Sequence, residues 1–154
     1  MRTRILVIGD DRKDPLVVAA QDYVKRAGSA LDGEIVFHKS KKRGKGADDV
    51  KVRQEEGELL LKASAGCTLV ALDALGKKMT SEQCAARLEQ LKMRGKNLAF
   101  VIGGATGLSD DVRHKADELW SLSAMTFPHK MALLMLCEQL YRAGEITRGG
   151  PYHK

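Results

Sequence analysis

Three short segments carry the residue types that can grip a small polar ligand. Leu72-Asp73-Ala74-Leu75-Gly76-Lys77, Ile102-Gly103-Gly104-Ala105-Thr106-Gly107-Leu108 and Leu122-Ser123-Ala124-Met125-Thr126-Phe127-Pro128-His129 each follow a short apolar run with strand character. Glycine lets a ligand approach backbone amides closely, and the hydroxyl-rich third segment offers side-chain and main-chain groups to a polar ligand. Any one of these segments alone reads as a tight turn between a strand and a helix. Three in succession, at the sheet edge where α/β proteins bind their ligands, point to a nucleotide-like pocket.

Two further segments are cationic. Lys39-Ser40-Lys41-Lys42-Arg43-Gly44-Lys45-Gly46 places five cations in seven residues among glycines. Lys41, Lys42, Arg43 and Lys45 there suit contact with a phosphate backbone, which supplies affinity but little sequence choice. The same run reads equally as a solvated surface loop. At the chain end, Tyr152, His153 and Lys154 set a stacking ring, an imidazole and a cation behind Gly149-Gly150. Such a tail can fold over a nucleobase and its phosphates, although chain ends commonly fray.

The elements that must position these segments follow from periodicity and capping. Apolar β-rich runs at Arg4–Ile8, Glu34–His38, Thr68–Leu72, Leu98–Ile102 and Glu118–Leu122 read as strands. Asp14-Pro15 opens a helix that Gly28 should stop. Asp48 opens a second, to about Ser64, with Leu59, Leu60 and Ala63 in its buried stripe. Ser81 caps a third, to about Arg94, and Ser109 with Asp110 and Asp111 opens a short fourth. A fifth runs from about Pro128 to Ala143. Strands separated by such helices imply right-handed crossovers in an α/β architecture with a parallel sheet.

The fifth helix is unusual. Leu133, Leu136, Cys137, Leu140 and Tyr141 form one face, but Met131, Leu134 and Met135 lie outside it. An apolar circumference requires cover on both sides. Deep packing within the chain is one answer; in so short a chain a homodimer interface is the favoured one.

Composition bounds the remaining classes. With 154 residues, one domain spanning residues 1–154 is expected, and 44% hydrophobic residues suffice for a core. The +6 net charge (26 Lys and Arg against 20 Asp and Glu) favours a polyanionic partner. Aromatic residues at 5% argue against an RNA reader built on a stacking platform. The apolar run Met131–Cys137 falls well short of a membrane span, and no secretory signal follows Arg2 and Arg4. Cys67, Cys84 and Cys137 form no metal or redox pair and read as buried thiols of a cytoplasmic protein. No Walker A loop, dinucleotide glycine turn, metal-binding cluster or nucleophile elbow is present, which disfavours the ordinary NTPase, Rossmann oxidoreductase and hydrolase.

Taken in order and spacing, several motifs are specific. They are Lys42-Arg43-Gly44-Lys45, Leu72-Asp73 with Gly76-Lys77, Ile102-Gly103-Gly104 with Gly107-Leu108-Ser109, Trp120-Ser121-Leu122-Ser123 with Thr126-Phe127-Pro128-His129, Glu138-Gln139-Leu140-Tyr141-Arg142-Ala143, and Pro151-Tyr152-His153-Lys154. Across almost the whole chain the sequence resembles the RlmH (YbeA-like) family of 23S rRNA pseudouridine N3-methyltransferases, in the SPOUT superfamily. The resemblance implies a trefoil-knotted parallel sheet flanked by helices, a homodimer and S-adenosyl-L-methionine as cofactor. It also implies N3-methylation of a pseudouridine in a 23S rRNA stem-loop of the assembled ribosome. Cofactor contacts would then come from Leu72, Gly104, Ser123, Ala124, Met125, Thr126, Phe127 and Pro128, largely through their backbone. Two departures stand out. Ala105-Thr106 replaces the family's usual pair in the glycine loop, and Gly149-Gly150 replaces a polar approach to the tail and would loosen it.

For the N3 proton, His129 and His153 are the candidate bases, having the intrinsic pKa range for the task. Their plain alternatives are a helix cap for His129 and a phosphate contact for His153. Arg142, expected one helix face from the pocket, would hold a phosphate; otherwise it is a surface arginine favoured by the helix dipole. A rival of another class is a non-catalytic basic RNA- or ribosome-binding dimer with the same fold. A weaker third is a flavodoxin-like nucleotide-binding enzyme.

Overall fold

The structure is a computed structural model describing residues 1–40 and 48–154. The elements run β1 (Thr3–Ile8), α1 (Pro15–Leu31), β2 (Gly33–His38), α2 (Asp49–Ala63), β3 (Thr68–Lys78), α3 (Ser81–Met93), β4 (Leu98–Ile102), α4 (Asp110–Lys115), β5 (Glu118–Ser121) and α5 (His129–Thr147). The strands form one sheet in the order β2-β1-β4-β3-β5, with every neighbouring pair parallel. Side chains alternate between its faces. Ile5, Val7, Val70 and Phe100 meet α1, α3 and α5, while Leu6, Ile8, Leu69 and Val101 meet α2 and α4. The central strand β4 is buried along all five residues, as a strand covered on both faces must be.

Local chemistry explains the boundaries. Asp14 accepts from the Leu16 amide ahead of Pro15, and Ser109 accepts from that of Val112, so α1 and α4 start where expected. Gly28 does leave the helical conformation (φ 55°, ψ −143°), but α1 resumes for one turn and closes at Asp32, whose N–H donates to the Gly28 carbonyl. The cap of α3 is Thr80 rather than Ser81. Thr80 and Gln83 form a reciprocal capping box, and the Ser81 hydroxyl donates instead to Gln139 Oε1 at 2.7 Å.

In α2 the buried face holds Leu60 with Glu56 and Gly57, and Leu59 is exposed. The helix turns this way because Gly57 lies against Ser109, where a Cβ would come within 2.4 Å of the Ser109 hydroxyl. Cys84 and Cys137 are buried, which pushes their thiols up to about 11 and about 12, and Cys67 is half-buried. Along α5, Leu133, Leu136, Cys137 and Leu140 are buried, Leu134, Met135 and Tyr141 are half-buried, and Met131 is exposed. One chain thus leaves part of this apolar helix uncovered.

The tail departs from expectation. Gly149 (φ 71°) and Gly150 donate to the carbonyls of Ile146 and Glu145, a Schellman closure that lets α5 run to Thr147. The two glycines therefore tie the tail to the helix instead of loosening it. Among the described residues, no helix is long and apolar enough to cross a membrane, and no group of three or more His, Cys, Asp or Glu could hold a metal ion.

Candidate functional site

The three segments that follow β3, β4 and β5 in the sequence reading line one cavity of about 670 Å³ at the carboxyl edge of the sheet, within the usual range for small-molecule sites. The first is not a plain loop. Strand β3 leaves its register with β5 after Leu72 and recovers it at Lys77, so Asp73–Gly76 form a bulge of the kind found beside functional sites. Asp73 Oδ1 accepts from the Leu75 amide at 2.9 Å, and its other oxygen pairs with the Arg113 guanidinium. Gly76 lies on the Leu119 main chain, where a Cβ would come within 2.7 Å.

The second segment turns on Gly107 (φ 84°), whose amide donates to the Gly104 carbonyl at 3.0 Å. Gly103 presses against the Gly107 backbone, and a Cβ at Gly104 would meet the buried Glu56 carboxylate at 2.6 Å. Arg53 Nη1 donates to the Thr106 carbonyl at 3.2 Å. The Ala105-Thr106 departure therefore keeps a main-chain anchor. In the third segment, Ser123 accepts from the Met125 amide at 3.1 Å. The Ser121 hydroxyl lies 3.0 Å from both the Ala74 and Ser123 carbonyls, linking the first and third segments.

Of the sequence-derived cofactor residues, Leu72, Gly104, Ser123, Met125, Thr126, Phe127 and Pro128 line this cavity. Ala124 is exposed and lies outside the lining, at the outer point of its turn. His129 lines the cavity too, and also a narrow cleft beside it bounded by Gly9, Phe37 and Lys130. Burial is the main cause that holds the His129 imidazole below its ordinary pKa, with Lys130 adding to the effect and Asp14 opposing it. The ring is therefore neutral at pH 7 and able to accept a proton.

The tail forms a separate cluster. Glu138 Oε1 accepts from Tyr152 Oη at 2.9 Å and from Arg142 Nε at 3.0 Å. His153 sits between Arg142 Nη1 at 3.0 Å and Glu82 Oε1 at 2.7 Å. Tyr152 lies edge-on to Tyr141 at 4.8 Å between centroids, with the Arg142 guanidinium over its ring. Burial, then Tyr23 and Glu138, push the Tyr152 phenol up, so it stays protonated. Lys154 is exposed. Arg142 stands thirteen positions beyond His129, about 20 Å along the helix axis, and not one helix face from the cavity as expected. Within one chain the structure gathers the loop residues with His129, and Arg142 with Tyr152 and His153, but does not join the two groups. Lys41, Lys42, Arg43 and Lys45 lie outside the described residues.

Sequence reasoning missed Arg113, Ser121 and Glu56 at this site. Arg113 lies in the last turn of α4, where a cation reads as an ordinary partner of the helix dipole, and no local signal ties it to Asp73.

A parallel α/β sheet with a three-loop cavity at its edge, free of phosphate-loop and dinucleotide signatures, defines the class. The family described as "Predicted SPOUT methyltransferase" matches residues 1–153. Curated relatives narrow it. A ribosomal RNA large subunit methyltransferase H of Methylobacillus flagellatus is 40% identical over 154 residues, covering 100% of this chain and 99% of its own. Its namesake from Exiguobacterium sp. is 42% identical over 159 aligned positions, covering 100% of both chains. The chain belongs to the ribosomal RNA large subunit methyltransferase H family, among the SPOUT methyltransferases.

Solved structures agree on the fold. A probable methylase family protein of Haemophilus influenzae aligns with TM-score 0.60 at 17% identity, covering 99% of this chain and 70% of that one. A probable methyltransferase of Bordetella pertussis aligns with TM-score 0.57 at 19% identity, covering 92% and 95%.

Proposed function

We propose that this enzyme uses S-adenosyl-L-methionine to methylate N3 of a pseudouridine in a 23S rRNA stem-loop of the assembled ribosome. The observation that carries this reading is the cavity itself, with the half-buried His129 on its wall. Its donors suit the cofactor. Gly103, Gly104 and Gly107 put side-chain-free backbone on the cavity wall, where an adenine and a ribose could approach it closely, and Asp73 is already neutralised by Arg113. Leu72, Gly104, Ser123 and the Met125–Pro128 backbone would hold the cofactor, with Ala124 shaping their turn.

When bound, the cofactor supplies a methyl group on an electrophilic sulfonium. The residues supply the rest, which is alignment and proton removal. N3 must lose its imino proton to attack, and His129 is the group at the cavity able to take it. In this reading His153 is a positioning group in the tail, held by Arg142 and Glu82.

The reading includes a homodimer in the cytoplasm, a knotted sheet, and one domain over residues 1–154. Uncovered Met131 on α5, and the 93% and 72% exposure of Leu75 and Met125 beside the cavity, support a second copy there. That copy's tail would bring Arg142, Tyr152, His153 and Lys154 towards the RNA beside this cavity, with Lys41, Lys42, Arg43 and Lys45 as further phosphate contacts. The test incubates the protein with tritium-labelled S-adenosyl-L-methionine and ribosomes lacking the modification. Label in 23S rRNA is expected; no transfer by protein that binds the cofactor would return the reading to a binding module.

A further inference from the structure

We infer that Arg113 and Asp73 form a brace that fixes the cofactor cavity by tying its first two loops together, making Arg113 a positioning residue. This rests on the reading that the cavity holds S-adenosyl-L-methionine. Arg113 projects from α4, and its guanidinium reaches two separate loops. Nε pairs with Asp73 Oδ2 in the β3 bulge, and Nη1 donates to the Leu108 carbonyl of the glycine loop at 2.8 Å. A planar fork can satisfy both at fixed geometry, which a lysine ammonium cannot.

The bulge needs such a tie. Its residues fall between Leu72 and Lys77, where the register of β3 with β5 is interrupted, so side-chain bonds replace ladder bonds there. Asp73 serves both directions, taking the Leu75 amide on one oxygen and Arg113 on the other. Its side chain is only 9% exposed, so a broken pair leaves a nearly buried carboxylate. Burial works to raise that carboxyl, and the Leu75 amide and Arg113 outweigh it and hold it below its ordinary value. The third loop joins through Ser121, which bridges Ala74 and Ser123. The bulge is therefore the hub of the cavity wall. The competing role for an arginine in an RNA-modifying enzyme is direct phosphate contact, and Arg113 also faces a polar cavity shared with Arg53 and Asp110.

The experiment compares wild type, Arg113→Lys, Arg113→Gln and Asp73→Asn by calorimetric titration with S-adenosyl-L-methionine, steady-state kinetics and ribosome binding. Arg113→Gln should weaken cofactor binding by about tenfold or more, the loss expected for a charge-assisted tie. Arg113→Lys should recover part of it. KM for the cofactor should rise while kcat at saturation stays within about threefold. Joining Asp73→Asn to Arg113→Gln should cost little beyond either alone.

Wild-type cofactor affinity in Arg113→Gln overturns the brace. So does lost ribosome binding with cofactor affinity intact, or a fall in kcat with KM unchanged. If Arg113→Gln does not fold, Arg113→Lys and Asp73→Asn carry the same test. Wild type that binds no cofactor overturns the functional reading instead. The brace is then decided by amide exchange, which Arg113→Lys should speed at 73–76 and 104–108; unchanged exchange there overturns it.

Discussion

Replacing Gly103 by alanine tests whether the glycine loop is a fitted wall. An alanine Cβ would stand 2.5 Å from the Gly107 carbonyl carbon, 2.7 Å from the Leu108 nitrogen and 2.8 Å from the Gly107 oxygen. All three are main-chain atoms, so no side chain can swing away. Relaxed carbon contacts begin near about 3.5 Å, so the loop must retreat by about 1 Å. Overpacking of this kind costs about 1–3 kcal/mol. At about 2–4 °C per kcal/mol for a chain of this size, Tm should fall by roughly 2–12 °C. The same retreat moves one side of the cavity, and a 1 Å misplacement near reacting groups can cost about a hundredfold in rate.

The assay pairs a thermal melt with calorimetric titration of S-adenosyl-L-methionine, and the expected loss of affinity is about tenfold or more. Gly66→Ala is the control. It meets nothing within 4 Å at φ 80°, so it should lower Tm through backbone strain and leave cofactor affinity alone. Gly103→Ala with wild-type Tm and wild-type affinity would show that the glycine loop is not a fitted wall.

Three further outcomes follow from the site and its supports. His129→Asn should lower kcat by about a hundredfold or more while cofactor affinity holds. Because burial keeps the imidazole below its ordinary value of 6.5, wild-type rate should fall only as pH drops through a point below that value, and the variant should lose that limb. At Glu118, burial raises the carboxyl, but the Arg87 and Trp120 bonds prevail and hold it below 4.5. A carboxyl depressed in the fold stabilises above its unfolded value and loses that contribution as pH falls through its folded one. Glu118→Gln should therefore cost about 1–2 kcal/mol at pH 7, and its melting deficit against wild type should shrink as pH falls below 4.5. Deleting Tyr152–Lys154 should abolish methylation of ribosomes yet keep cofactor binding, since the tail contacts Glu138 and Glu82 rather than the cavity; full activity would remove the tail from the reaction.

The sequence was most legible where the physics is local. The all-apolar run Leu98–Ile102 could only be a strand covered on both faces, and Asp14-Pro15 and Ser109 cap their helices by contacts within a few residues. The three segments that line the cavity were legible from the apolar runs that precede them. What stayed hidden depends on pairs distant in sequence. Asp73 and Arg113 lie 40 residues apart, and nothing periodic links them. The cap of α3 lies one residue before the Ser81 expected, in a local box between Thr80 and Gln83, and what was hidden is only the bond of Ser81 to Gln139, 58 residues away. The β3 bulge was invisible because Asp73–Gly76 has turn composition while the strand resumes beyond it. The glycine pair near the chain end read as a hinge because composition alone does not distinguish a flexible joint from a Schellman closure.

Whether the three-loop cavity receives the methyl donor is decided by a crystal structure with S-adenosyl-L-methionine. The donor is expected against Leu72, Gly104 and the Met125–Pro128 backbone, in the cavity that His129 also lines. A donor bound instead between α1 and α5, in the cavity beside Arg26 and Tyr141, would contradict that placement.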